Sequence, residues 1–135
     1  MKVFLFIFCI AVIAISCKKE SQGSKIKNVA NSALFAKWEL RFQNGGLMPQ
    51  KSFAPGNGNM IQFNADSTYK FYLGFSVTAQ GTFHITEKTF TMTPEKFNYI
   101  YYDHDTTGDL LQLKNDTLTI GSSAADGLSS IYVKQ

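Results

Sequence analysis

Two hydrophobic patterns divide this chain. From Val3 to Ile15 the residues are almost wholly apolar, with no polar face. Beyond residue 37 the pattern changes to a period of two, apolar then polar, the mark of half-buried strands. Trp38, Leu40 and Phe42 alternate with Glu39 and Arg41. Ile61 and Phe63 precede a tight turn at Asn64-Ala65-Asp66-Ser67. Tyr69, Phe71, Leu73 and Phe75 then share one face against Lys70 and Tyr72. Gly74, inside that run, predicts a bulge or a close backbone approach. Val77, Ala79, Gly81, Phe83 and Ile85 continue the inward face, and Glu87-Lys88 reads as a turn before Phe90 and Met92. The stretch Phe97 to Tyr102 is aromatic on both faces. Leu111 and Leu113 return inward, Asn115-Asp116 fits a two-residue hairpin turn, and Leu118, Ile120, Ile131 and Val133 follow. Leu34 to Lys37 fits a short helical turn.

About eight or nine short strands, at spacings of roughly 8–12 residues and with no strong amphipathic helix, predict an all-β fold. Most connections are short, so the simplest arrangement is an eight-stranded antiparallel up-and-down barrel. Closure of the barrel removes the exposed edges an open sheet would carry. One connection is long. Gln43 to Asn59 holds Gly45-Gly46, Pro49 and Pro55-Gly56, so strand pairing is not expected to continue through it. Its apolar Leu47, Met48 and Phe53 suit either a lid or a plug for the end of the core.

The N-terminal apolar run is short for a membrane span, which needs about 20 residues. Lys2 precedes it, and Ala14-Ile15-Ser16-Cys17 ends it. That order of charge, apolar run, small residue and cysteine resembles a bacterial lipobox, with Ala14 where Leu is commoner. The resemblance implies a signal peptide at 1–16 and acylation of Cys17, with chains such as palmitate. Two or more chains anchor stably where one does not. A lipidated cysteine and flexible tether then occupy 17–32, and the folded domain 33–135. Cys9 leaves with the signal peptide, so the mature chain holds no disulfide. The expected location is the outer membrane, by a lipid anchor, at either the periplasmic face or the cell surface.

The formal net charge of +3 is uneven. Lys18, Lys19, Lys25 and Lys27 sit in the tether, whereas from Ala33 onward eight Lys/Arg face nine Asp/Glu. Arg41 is the one arginine, so nucleic-acid binding has no electrostatic footprint.

Ala36-Lys37-Trp38-Glu39-Leu40, Phe63 to Tyr69, Gly81-Thr82-Phe83 and Ile131-Tyr132-Val133-Lys134 together resemble the small lipocalin-like lipoproteins of Gram-negative bacteria. The resemblance implies that Trp38 packs across the closed end of a barrel and that Lys134 of the last strand lies over it as a cation–π partner. Ala36 stands where that family carries Gly, and the domain is shorter than a transport lipocalin.

An eight-stranded barrel either fills with side chains or holds one small ligand. The leading expectation is a small apolar or amphipathic ligand at the barrel mouth, contacted by Met48, Phe53, Tyr69, Phe71, Phe83 and Tyr99. The alternative is a filled barrel docking an envelope protein or glycan through Tyr101 and Tyr102, since aromatic rings suit interfaces. No catalytic motif is present, and the chain reads as a non-enzyme without cofactor, acting as a monomer. Asp103-His104-Asp105 is the one run resembling metal ligands. As a strand it would point His104 away from both aspartates, so no metal is expected.

Overall fold

The computed structural model describes residues 32–46, 48–89, 94–122 and 127–135. The signal peptide, Cys17 and the tether lie outside the described residues, as do Phe90 and Met92. Nine strands occur among the described residues. They are β1 (Lys37–Gly45), β2 (Met48–Ser52), β3 (Met60–Phe63), β4 (Thr68–Leu73), β5 (Ser76–Thr89), β6 (Lys96–Tyr102), β7 (Asp109–Lys114), β8 (Thr117–Gly121) and β9 (Ser129–Lys134).

Every pairing is antiparallel. β1 pairs with β3, each later strand pairs with the next, and β9 returns to β1. Eight strands therefore close a barrel in up-and-down order, and β2 is an additional strand on β1. The expected barrel is present.

The turns alternate between two ends. A helical turn at residues 32–34, the 64–67 turn and the Asn115-Asp116 hairpin lie at one end. Leu34 is buried there beside Trp38, whose indole Nε1 donates to the Leu34 carbonyl at 2.8 Å. This is the closed end. The helical turn lies slightly earlier than the sequence pattern places it, and β1 begins at Lys37. The β4–β5 hairpin, the 103–108 loop and the β8–β9 connection lie at the far end.

The core follows the period of two. Trp38, Ile61, Phe63, Tyr69, Phe83, Ile100, Leu111, Leu118 and Ile120 are buried together inside the barrel. Burying aromatic and branched side chains supplies most of the stability, since truncating one buried Phe or Trp costs about 3–5 kcal/mol.

Five sequence expectations need correction. Pairing does continue into the long connection, because β2 pairs with the upper half of β1. Pro49 is tolerated there because β2 is an edge strand, where a missing N–H leaves no ladder bond broken. Phe42 does not face inward. Leu40 opposes Tyr132 and Phe42 opposes Ile131, so Arg41 is a bulge that flips the phase, and Phe42 is left 41% exposed. Val77 is displaced in the same way by Thr78, which has no partner between the Phe71–Ala79 and Tyr72–Val77 pairs. Leu73 and Phe75 are 65% and 66% exposed, because Gly74 and Phe75 form the two-residue turn of the β4–β5 hairpin. Finally, Glu87-Lys88 is not a turn. β5 runs through it to Thr89, with Glu87 bridged to Lys96 of β6 at 2.9 Å.

Candidate functional site

Inward residues of β3, β4, β5 and β6 meet as an aromatic floor. Phe63 and Phe83 pack edge to face with centroids 4.9 Å apart. Tyr69 meets Phe71 at 5.1 Å and Tyr102 at 4.9 Å, and Phe71 meets Tyr102 at 5.4 Å. Such offset and edge contacts suit the ring quadrupoles. Tyr69, Phe71 and Phe83 are thus brought together. They fill the closed half of the barrel against one another.

On the far-end side of this floor the inward positions turn polar. Asp109 opposes inward Ile100, and Ser130 and Tyr132 oppose inward Ile120 and Leu118. Gln43 donates to Ser130 Oγ at 3.3 Å, and Ser130 also shares a hydrogen bond with Tyr132. The Tyr102 hydroxyl is buried and has no hydrogen-bond partner. Burial first, then the nearby Tyr132, Asp109 and Tyr69, hold its proton far above the ordinary phenol range. Burial likewise raises Tyr132. Asp109 is raised by burial and then by the charge of Asp105. A buried hydroxyl without a partner costs about 1–3 kcal/mol. These groups offer an acceptor carboxyl and two phenols above an apolar floor.

The other expected contacts lie elsewhere. Phe53 is half-buried in the β2–β3 connection, 4.9 Å from Lys51 Nζ. Tyr99 is on the outer face of β6, as is Tyr101. Of Met48 only the backbone is described, within β2. The β2–β3 connection is not a lid. Asn57 Nδ2 donates to the carbonyls of Leu40 and Ala54, Leu40 N donates to the Asn59 carbonyl, and Gly58 N reaches Glu39 Oε1 at 3.4 Å. These bonds tie it along β1.

Tyr101 and Tyr102 do not form an exposed aromatic strip. Tyr102 faces the interior. Tyr101 is 5% exposed, stacked on His84 at 4.7 Å and lying beneath Lys88 Nζ at 5.0 Å. Lys88 also lies over Tyr99, at 5.2 Å. His84, exposed on the outer face of β5, is thus also a stacking partner of Tyr101. At the closed end, Lys134 opposes Trp38 and holds its Nζ 5.9 Å above the indole.

The Asp103-His104-Asp105 run has structural work. Asp103 Oδ1 accepts from Thr82 N at 2.8 Å and Oδ2 accepts from the Tyr69 hydroxyl at 2.9 Å. These bonds, Thr82 foremost, hold the Asp103 carboxyl below its ordinary range. A Cβ at Gly81 would collide with that carboxylate, which would have to shift away from Thr82 N to make room. Asp105 accepts from the Thr107 amide and hydroxyl. Among the described residues no group of three His, Cys, Asp or Glu is placed to hold a metal ion.

Sequence reasoning missed Asp109, Ser130 and Tyr132. The signal was present, since Asp109 shares the inward parity of Leu111 and Leu113. Comparison with protein-family models, with curated proteins and with solved structures returns no match.

Proposed function

We propose that this chain is a lipid-anchored, lipocalin-like envelope protein that carries a small amphipathic ligand at the far end of its barrel. The apolar body of the ligand rests on Phe71 and the Tyr102 ring. Its polar head exchanges hydrogen bonds with Tyr102, Tyr132 and Asp109. The observation that carries this reading is the buried Tyr102 hydroxyl without a partner. A ligand atom there would remove the cost of that orphaned donor. Small-molecule sites commonly combine an apolar lining with a few placed polar groups. The lipid anchor rests on the Ala14 to Cys17 motif, and a location at the outer membrane is part of the same proposal.

The test is a thermal-shift panel of single-chain amphiphiles of equal length carrying amine, hydroxyl or carboxylate heads. Amine and alcohol raise the midpoint by several degrees at saturation, and the carboxylate does so less because Asp109 repels it. Tyr102→Phe lowers the shift without lowering the stability of the empty protein. Absence of a shift with every head group refutes the proposal. A second reading, a barrel that docks a partner, is favoured by the apolar hairpin tip at the same end.

A further inference from the structure

Asp109 is a half-buried carboxyl at the start of β7, opposite Ile100 on the inner face of the barrel. The charged and titratable groups that face it are Tyr102 of β6, Tyr132 of β9 and Asp105 of the 103–108 loop. Two are phenols and the third is another acid.

From residue 33 onward the chain has eight lysines and arginines, and each has a place away from Asp109. Arg41 pairs with Glu39 at 3.1 Å, and Lys96 pairs with Glu87 at 2.9 Å. Lys37 lies over Tyr72, Lys51 over Phe53, and Lys88 over Tyr99 and Tyr101 on the outer face. Lys134 lies over Trp38 at the closed end. Lys70 points outward between inward Tyr69 and Phe71, and Lys114 opposes Thr117 beside the closed-end hairpin turn. His84 is stacked outside the barrel on Tyr101, and His104 neighbours Asp103 in the loop. Among the described residues, no base faces Asp109.

A carboxylate drawn out of water calls for a cation or for several hydrogen-bond donors. Burial and Asp105 both disfavour the charge on Asp109. Above the same aromatic floor, the Tyr102 hydroxyl lacks a hydrogen-bond partner. One ligand group satisfies both needs if it is positively charged and carries several N–H donors. A primary ammonium has three donors and a full charge. An alcohol brings one donor and no charge. A carboxylate adds negative charge beside two acids.

We propose that the head group taken up by the barrel is a protonated primary amine, with Asp109 as its counter-ion and the Tyr102 and Tyr132 oxygens as acceptors. This rests on the carrier reading above and narrows it to cationic amphiphiles. It also links binding to acid. Protonation of Asp109 removes the counter-ion, so affinity for the amine falls as pH falls. Because Asp109 is raised in the empty barrel, the loss begins above the ordinary carboxylate range.

The test is calorimetric titration of the full chain in phosphatidylcholine nanodiscs. The probes are a linear primary amine, the alcohol and the carboxylate of equal chain length, each corrected by titration of empty discs. At neutral pH the amine binds at least about tenfold more tightly than the alcohol. In Asp109→Asn the two bind within about twofold of each other. On the unaltered chain the advantage of the amine shrinks as the solution is acidified, although the amine keeps its own proton throughout. That profile needs no variant to fold. An advantage that persists in acid or in Asp109→Asn overturns the proposal. So does an alcohol or a carboxylate that binds as tightly as the amine at neutral pH. If Tyr102→Phe then weakens that binding, the carrier stands and only the cationic head is wrong. No binding by any of the three overturns the carrier and the head group together.

Discussion

Asp103 and Asp109, six residues apart at the far end of the barrel, respond to acid with opposite signs. Asp103 is ionised and hydrogen-bonded to Thr82 N and the Tyr69 hydroxyl, so its folded-state pKa is depressed. The unfolded chain binds the proton more readily. The stabilisation is present above the ordinary carboxylate range and is lost as pH falls through the folded value. Asp109 is raised by burial and by Asp105, so here the folded state binds the proton more readily. Its ionisation weakens the fold as pH rises. Asp103→Asn therefore flattens the acid limb of a melting-temperature profile. Asp109→Asn raises the midpoint of urea unfolding at pH 7, and the gain vanishes below the ordinary carboxylate range. If Asp109 also receives the ligand head group, the same substitution weakens ligand binding, a common trade between stability and function. Gly81→Ala places a methyl against the Asp103 carboxylate and costs about 1–3 kcal/mol by urea denaturation. Combined with Asp103→Ala, which removes the obstructing carboxylate, it costs less than the sum of the two single changes.

At the scale of strands, period two was enough to place most of β1 and β3 to β9. It could not locate the bulges. An extra residue leaves alternation intact on both sides of itself, so Arg41 and Thr78 shift the phase without a mark in the pattern. That is why Phe42 and Val77 are exposed although they read as core. β2 was hidden by Pro49 and the flanking glycines, residues whose turn signals outweigh a short edge pairing. The floor of the candidate site was legible as Tyr69, Phe71 and Phe83, because bulky inward residues in a narrow barrel must meet. Its polar side was not. Asp109, Ser130 and Tyr132 come from β7 and β9, and only barrel closure brings them beside Tyr102 of β6. The hairpin tip makes its own prediction. Phe75 has φ 71°, and the edge of its ring lies against Gly58. Phe75→Gly removes the left-handed penalty and raises stability by about 0.5–1 kcal/mol, read by urea denaturation. Loss of stability instead would mean that the Phe75 contact with Gly58 outweighs the backbone strain.

For the whole molecule, the barrel divides along its axis. The closed half holds Leu34, Trp38, Phe63 and the aromatic floor, sealed beneath Lys134. The far half carries the polar interior, the unpartnered Tyr102 hydroxyl and the exposed apolar side chains, and the outward Tyr101 hydroxyl is buried without a partner as well. Under the proposed function, stability and recognition would be separated within one sheet, as expected where a rigid scaffold presents loops. An acyl anchor at Cys17 would join the barrel through Ser32, at the closed end. Direct measurement is native mass spectrometry of the full protein extracted from its own membranes. The proposed carrier shows a discrete added mass, beyond any acyl chains, that disappears under denaturing conditions and is reduced in Tyr102→Phe. An intact mass equal to the acylated polypeptide alone, unchanged by denaturation and by Tyr102→Phe, would contradict a carrier and leave the barrel as a filled docking module.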